Sequence, residues 1–219
     1  MNIVSIKEED IPRAAEVLTT AFVNDPIFKF IFNDEAHYET AAPWLFSTWI
    51  RWSVMFGNAW MSDDGKAVII MRSLEHSEMS LWSMIRAGML PTPWKLGWRA
   101  FKRFYFEIVA TLDKKHASIM GKQAHWYGWM VGATERGAGS GGPLINHCAN
   151  IADEKGLPVF LETATPENLP LYAAKGFQVM DSTVISTECT IYFLVRQPRN
   201  AGLSNHQTLQ KNESTIVHS

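Results

Sequence analysis

Cysteine is scarce in this sequence, where Cys148 and Cys189 are the two copies among 219 residues. Two cysteines supply neither a disulfide framework nor the ligand pairs of a structural zinc site, so both classes of protein are excluded. We expect both side chains to be small buried hydrophobic groups. The seven histidines show no spacing typical of metal ligands, and no metal site is predicted.

An excess of charge is also missing, because the formal net charge is −2. A chain without a broad basic field is not drawn to nucleic acid or anionic lipid, so neither partner is expected. The N-terminus lacks the basic stretch and apolar run of a secretory signal. No apolar run approaches the roughly 18 residues that a membrane helix needs. We therefore predict a cytoplasmic protein that binds neither membrane nor nucleic acid.

Hydrophobic residues make up 47% of the chain, enough to bury a core. The length fits one domain, which we assign to residues 1–199. Residues 200–219 are polar and are predicted to form a disordered tail. The nine tryptophans and twelve phenylalanines are expected mainly in the core.

The N-terminal half predicts a strand, two helices and a hairpin. A strand at residues 3–6 precedes a helix that Asp10 caps with its carboxylate and that ends before Asp25-Pro26. A second helix is predicted at residues 38–56, where Pro43 marks a start or a kink. Two apolar runs flank Asp63-Asp64-Gly65-Lys66, a pattern typical of a β-hairpin.

The remaining sequence predicts an irregular helical segment and then a mixed α/β unit. Residues 74–118 form the helical segment, with an apolar stripe of Trp98, Phe101, Tyr105, Ile108 and Leu112. Its basic residues are expected to form a solvated face. Strands are predicted at 126–133, 159–161 and within 184–195, and helices at 144–154 and 168–175. This order indicates an α/β or α+β fold, with helices packed on a sheet.

A glycine-rich loop lies between the strand at 126–133 and the helix that follows. Such glycines let backbone approach a ligand closely, and the N-terminus of the next helix presents N–H groups and a positive dipole end to phosphate. We therefore predict phosphate binding at this loop, whose residues are Arg136, Gly137, Ala138, Gly139, Ser140, Gly141 and Gly142.

Two phosphate-binding motifs compete for this loop. The absence of Lys-Ser or Lys-Thr after the glycines excludes a P-loop. Gly137, Gly139 and Gly142 satisfy the dinucleotide pattern G-x-G-x-x-G, and Glu162 stands where a ribose-binding acid is expected. A nucleotide-dependent oxidoreductase is therefore an alternative. Against it, about 35 ordered residues follow Glu162, too few for further βαβ units of about 30 residues each.

Arg136-x-x-Gly139-x-Gly141 resembles the Q/R-x-x-G-x-G/A signature of the GNAT N-acetyltransferase superfamily. The segment from Asn168 to Phe177 resembles that family's N-x-x-x-Y-x-x-x-G-F motif, and Phe160-Leu161-Glu162-Thr163 resembles a puromycin N-acetyltransferase-like branch. The resemblance is strongest over residues 125–180. It implies a central mixed, mostly antiparallel sheet flanked by helices, acetyl-CoA as co-substrate and a small-molecule amine as acceptor.

The resemblance also implies site residues and direct attack of the amine on the thioester. Trp129, Met130 and Val131 would align the pantetheine arm, and the Val131 N–H would polarise the thioester carbonyl. Gly128 and Gly132 suggest a β-bulge in this strand. Two departures concern the phosphate loop, because Ala138 replaces a basic residue often found there and Pro143 lacks an N–H in the first helical turn.

Tyr172 is the candidate general acid, because its phenol stays protonated while thiolate charge develops. Asn168 is expected to bind cofactor, cap its helix, or both. Glu162 is the first candidate for the general base and His125 the second. The lining of the acceptor pocket is predicted to include Phe22, Asp25, Phe28, Trp49 and Trp82.

One further alternative remains open, an acetyl-CoA-binding regulatory or degenerate domain without turnover. The resemblance is compatible with a monomer or a homodimer, and it does not identify the amine.

Overall fold

The computed structural model describes residues 1–32, 34–72, 79–135 and 139–199. Arg136, Gly137, Ala138 and the predicted tail at 200–219 lie outside the described residues. One seven-stranded sheet organises the rest, in the order β1-β2-β3-β4-β5-β7-β6. Its strands are β1 (Ile3–Ser5), β2 (Ala59–Ser62), β3 (Ala67–Arg72), β4 (Trp126–Ala133), β5 (Val159–Thr163), β6 (Gln178–Ser186) and β7 (Cys189–Arg196).

Neighbouring strands run antiparallel except for the pair β4 and β5, which is parallel. The predicted fold class, a mixed and mostly antiparallel sheet flanked by helices, is therefore confirmed. Strand alternation sends Val68 and Ile70 into one hydrophobic cluster and Ile69 and Met71 into another. The two clusters lie on opposite faces of the sheet, and each face is covered by helices.

The first face is covered mainly by α1 (Ile11–Phe22), α2 (Pro26–Phe32) and α3 (Glu35–Met55). Helix α1 buries its side chains at helical spacing and follows strand β4 so closely that a Cβ on Gly132 would stand 2.7 Å from the Cβ of Ala21. The predicted cap by Asp10 is wrong. Its carboxylate accepts from the Lys7 N–H at 2.9 Å, because a 3₁₀ turn precedes the helix.

Helix α3 begins three residues before the predicted start, because Asp34 is its N-cap. The Asp34 carboxylate accepts from the N–H groups of Ala36 and His37 at 3.0 and 3.3 Å. Pro43 lies inside the helix rather than at its start.

The middle segment consists of α4 (Leu81–Arg86), α5 (Thr92–Lys102) and α6 (Ala110–Met120), with a π-helical stretch at Arg103–Val109 between the last two. The predicted apolar stripe is only partly correct. Ile108 is buried, whereas Trp98 and Tyr105 are 65% and 46% exposed. Gly97, with a φ of 70°, and the π-helical stretch both interrupt the regular α-helical spacing on which the stripe was predicted.

The second face carries α7 (Gly141–Glu154) and α8 (Leu169–Ala174). Gly176 follows α8 with a φ of 87°, as a helix-terminating glycine requires. Arg196, at the end of β7, joins the two helices. Its guanidinium donates to both carboxylate oxygens of Asp153 at 2.8 and 2.6 Å and to the Lys175 carbonyl at 3.1 Å.

Both cysteines are buried, as predicted. None of the described helices is long and apolar enough to cross a bilayer. In the same part of the chain, no three His, Cys, Asp or Glu side chains are grouped so that they could hold a metal ion.

Candidate functional site

Strand β4 contains the bulge that its glycines suggested, and Trp129 is the extra residue. Ile70 of β3 pairs with Met130, whereas its neighbour Met71 pairs with Gly128. The parallel pairing with β5 covers Trp126–Gly128 opposite Val159–Leu161 and then ends. A bulge increases local twist and bends the strand. The two strands therefore diverge beyond Gly128 and leave a gap in the middle of the sheet.

The backbone of Val131 faces this gap. The Thr134 N–H donates to the Lys66 carbonyl of the preceding turn at 2.9 Å. Because hydrogen-bonded and non-hydrogen-bonded pairs alternate in an antiparallel ladder, the pair Val131 and Ile69 has its polar groups turned outward. The N–H of Val131 therefore points away from β3, to the side where β5 has diverged.

The N-terminus of α7 lies beside the same gap, and the helix begins at Gly141 rather than at Leu144 as predicted. Gly139 adopts a φ of 78°, and its carbonyl accepts from the Gly142 N–H at 3.2 Å. The Lys175 Nζ lies 3.8 Å from the position of a Cβ on Gly142. An ammonium group thus stands at the positive end of the helix dipole.

A cavity of about 970 Å³ passes through the gap, since residues from both faces of the sheet line it. It contains most of the predicted site and acceptor-pocket residues. Those on its wall are Phe22, Asp25, Phe28, Trp49, His125, Trp129, Met130, Val131, Glu162, Asn168 and Tyr172. Trp82 is not among them. Its side chain is 68% exposed on α4, so its predicted place in the pocket is wrong.

Glu162 lies in the cavity wall on β5. Its Oε1 accepts from the Tyr127 hydroxyl, and its Oε2 is buried without a hydrogen-bond partner among the described residues. Burial raises the pKa of Glu162 to about 7, although Tyr127 and Arg72 oppose the rise. The carboxyl group can therefore exchange a proton near neutral pH.

Tyr172 belongs to α8 and the second face, whereas Glu162 shares the first face with Phe160. Burial raises the pKa of Tyr172, and the carboxyls of Glu162 and Asp25 add to the rise. The phenol thus stays protonated at any physiological pH. Asn168 stands at the N-cap of α8 but makes no side-chain capping bond, so the capping role predicted for it is not observed.

His125 is paired with His116. The His125 Nδ1 lies 2.6 Å from the Gln123 carbonyl and must donate to it, which leaves Nε2 as an acceptor in the neutral ring. The His116 Nε2 lies 2.6 Å from that atom and donates a hydrogen bond to it. Burial, together with the charges of His125 and Arg72, lowers the pKa of His116 to about 4. His116 is therefore neutral at pH 7, and its hydrogen bond engages the Nε2 of His125.

The wall residues that sequence reasoning missed include Arg72, Asp113, His116 and Tyr127. Tyr127 could have been found, because it stands in the strand next to Glu162 and an aromatic hydroxyl in a buried strand needs a partner. Arg72 carries no signal beyond being a charge at the end of an apolar strand.

No family model matches the chain. An uncharacterized N-acetyltransferase of Schizosaccharomyces pombe is 23% identical over 202 residues, which cover 88% of this chain and 82% of that protein.

Several solved structures share the fold over 90% of this chain. A histone acetyltransferase HPA2 and related acetyltransferase from Corynebacterium glutamicum superposes with a TM-score of 0.59 at 20% identity and 96% of its own length. Arylalkylamine N-acetyltransferase 2 from Aedes aegypti gives 0.61 at 11% identity and 98%. The polyamine N-acetyltransferase of Drosophila melanogaster gives 0.59 at 12% identity and 100%. Together with the gap between β4 and β5, these likenesses show that the chain has the fold of the GNAT N-acetyltransferases.

Proposed function

We propose that this protein is an N-acetyltransferase that moves an acetyl group from acetyl-CoA to a primary amine of a small molecule by direct attack. One observation carries the proposal. One cavity passes through the gap in the sheet, where Val131 of β4 and Ile145 of α7 line it, and reaches a buried carboxyl group and an aromatic pocket. The acetyltransferase named as a relative and those that share the fold support the same activity.

The gap and the α7 N-terminus fit acetyl-CoA, which would supply a thioester-bound acetyl group. Trp129, Met130 and Val131 would hold the pantetheine arm through the backbone, because outward-facing strand groups bind an extended chain as a further strand. The N–H of Val131 would stabilise negative charge on the carbonyl oxygen. Phosphate would be held at the glycine loop, from Arg136 through Gly137, Ala138, Gly139, Ser140 and Gly141 to Gly142, and Asn168 would contact the cofactor.

Lys175 is expected to supply part of the positive charge at this loop. Pro143 has no N–H, and the N–H of Gly142 is already bonded to the carbonyl of Gly139. Because neither backbone position offers a free donor to phosphate, we expect a side-chain cation to contribute more to phosphate binding. Lys175→Met should weaken acetyl-CoA binding about tenfold, since a hydrogen bond to a charged group contributes about 1.5–3 kcal/mol. Calorimetric titration with acetyl-CoA measures this. Lys155→Met, at the C-terminal end of α7, is the control, and equal affinities in both variants would contradict the role.

On the acceptor side, Glu162 would take the proton of the attacking amine. Its carboxylate is populated near pH 7, and its unpaired Oε2 lies in a cavity wall. Base catalysis is most effective when the pKa of the base is near the operating pH. His125 is the weaker candidate, because its Nε2 lone pair is engaged by His116.

Tyr172 would donate a proton to the departing thiolate. Tyr172→Phe should lower kcat about 10- to 100-fold, the low end of general-acid effects, because a thiolate leaves readily. Affinity for acetyl-CoA should stay within a factor of two or so of the wild type. Thiol release at saturating substrates and calorimetry separate the two quantities. An unchanged kcat would remove Tyr172 from the mechanism.

The fold does not favour the oxidoreductase alternative. A dinucleotide-binding domain has a mostly parallel sheet with its glycine loop after the first strand, whereas here the sheet is mostly antiparallel and the loop follows the fourth strand.

Incubation with acetyl-CoA and a panel of primary amines, followed by thiol release, tests the proposal. Acetylated product should appear with at least one amine and disappear in Glu162→Gln. If acetyl-CoA raises the melting temperature but no amine releases thiol, the binding-only alternative replaces catalysis. If acetyl-CoA does not bind, the proposal fails. The finer likeness to the puromycin N-acetyltransferase branch is examined by including that antibiotic in the panel.

A further inference from the structure

A partly buried cation, Arg72, lies in the wall of the cavity. Arg72 is the last residue of β3, where its Cα pairs with that of Tyr127. Its guanidinium carbon lies 5.8, 5.3 and 5.4 Å from the ring centres of Trp52, Tyr127 and Trp129. Three aromatic faces therefore fix the guanidinium in one place, and Arg72 lines the same cavity as Glu162.

Arg72 makes no ion pair or side-chain hydrogen bond with any described residue, and its Nε is buried without an acceptor. Asp113 and Glu162 act on it electrostatically, but neither lies at ion-pair distance. Burial of a cation is costly unless hydrogen bonds or a counter-ion compensate for it. The aromatic faces supply part of this compensation. Among the described residues, the planar fork of N–H donors has no acceptor of the kind that its geometry suits, which is a carboxylate or similar oxyanion.

We propose that Arg72 binds a carboxylate of the acceptor, so that the substrate is a small amine that also carries an acid group. This inference rests on the proposed N-acetyltransferase activity and adds the substrate class to it. Tyr127 connects the two ends of the site, because its hydroxyl bonds to Glu162 while Arg72 lies over its ring. An amine at Glu162 and a carboxylate at Arg72 would thus occupy neighbouring positions in one molecule.

The same geometry disfavours a second cation on the acceptor. A diamine or polyamine with one amine at Glu162 would bring its other charge towards Arg72, and like charges in a buried site repel. The expected acceptors therefore differ from the substrate named for the Drosophila polyamine N-acetyltransferase.

Matched acceptors test the inference. L-Phenylalanine and 2-phenylethylamine, L-leucine and 3-methylbutylamine, and 6-aminohexanoate and pentylamine each differ by a carboxylate. The wild-type protein should acetylate at least one acid-bearing member with a kcat/KM at least tenfold above its partner. Arg72→Gln should remove this preference by raising KM for the acid-bearing member, and Arg72→Lys should retain part of it.

The comparison within pairs separates this role from an effect on Glu162. Loss of the Arg72 charge also changes the ionisation of Glu162, but that change acts on both members of a pair alike. Only loss of a carboxylate contact alters their ratio. Asp113→Asn is the matched control, since it removes a charge near Arg72 and should leave the preference in place.

A binding measurement makes the test independent of turnover. 3-Phenylpropionate has no amine and cannot be acetylated, and 3-phenylpropanol is its neutral counterpart. The acid should bind the protein with acetyl-CoA present more tightly than the alcohol, and Arg72→Gln should abolish the difference while acetyl-CoA still raises its melting temperature. Equal binding of acid and alcohol to the wild type would overturn the inference even if amines are acetylated. Failure of every amine with the acid preference intact would instead overturn the proposed activity.

Discussion

Glu162→Gln is expected to lower kcat/KM for the acceptor amine by about 10²–10⁴, the usual range for loss of a positioned general base. Glutamine preserves the shape and can still accept from the Tyr127 hydroxyl that bonds to Glu162. It cannot take a proton. Thiol release at subsaturating amine measures the change. Glu167→Gln, on a neighbouring exposed residue, is the control and should retain wild-type activity.

The dependence of kcat/KM on pH provides a second test of Glu162 as the base. Burial raises the pKa of Glu162 to about 7, so the base is protonated and inactive below that pH. The wild-type kcat/KM should rise with pH through about 7, and Glu162→Gln should lose that limb. An identical limb in the variant would assign the titration to another group and contradict Glu162 as the base.

Stability should change in the opposite direction to activity. The folded pKa of Glu162 lies above its ordinary value of 4.5, so the folded protein holds the proton more tightly and loses stability as pH rises between the two values. Glutamine removes this loss. At pH 8 the variant should melt at the same temperature as the wild type or higher, which also shows that its low activity is not due to misfolding.

Asp153→Asn is expected to lower the free energy of unfolding by about 3–5 kcal/mol, the cost of leaving one member of a buried ion pair alone. The Arg196 side chain is 2% exposed, and both Asp153 oxygens accept from it. For a domain of this size, each kcal/mol corresponds to about 2–4 °C in melting temperature. Urea or thermal unfolding measures the loss.

An exposed ion pair in the same chain provides the comparison. Lys66 and Glu135 lie 2.8 Å apart with side chains 50% and 61% exposed, and such pairs contribute at most about 1 kcal/mol. Glu135→Gln should therefore be nearly neutral. If Asp153→Asn were equally mild, the buried pair would not hold α7 to β7.

The Asp153 effect should also depend on pH. The hydrogen bond from Arg196 lowers the pKa of Asp153 below its ordinary value of 3.8. A carboxyl group with a depressed pKa stabilises the fold above its unfolded pKa, and the contribution is lost as pH falls through the folded pKa. The difference between wild type and Asp153→Asn should therefore shrink on acidification below about pH 4.

Structural elements that depend on a few neighbouring residues were predicted from the sequence. The hairpin of β2 and β3 followed from a turn sequence between apolar runs, and the bulge at Trp129 from two glycines in one strand. The predicted start of α3 was three residues too late, because the prediction did not use Asp34 as the N-cap. An aspartate before the first helical residue is a common start signal.

Features that depend on tertiary packing could not be predicted from sequence. Trp82 and Trp49 are the same residue type on helices, yet one is exposed and the other lies in the cavity wall. Arg72 acquires its surroundings from α3 and β4, which are distant in sequence. Glu162 and Tyr172 line one cavity from opposite faces of the sheet, which depends on where two strands diverge, a property of the whole sheet.

The short pairing between β4 and β5 has a consequence for the order in which the two substrates bind. Three backbone pairs join the strands β1 to β4 to the strands β5 to β7 within the described sheet. An arm of acetyl-CoA in the gap would act as an additional strand between the two halves and stiffen them against each other. The wall of the amine pocket is then complete only after the cofactor has entered. We therefore expect ordered kinetics, with acetyl-CoA binding first and the amine second.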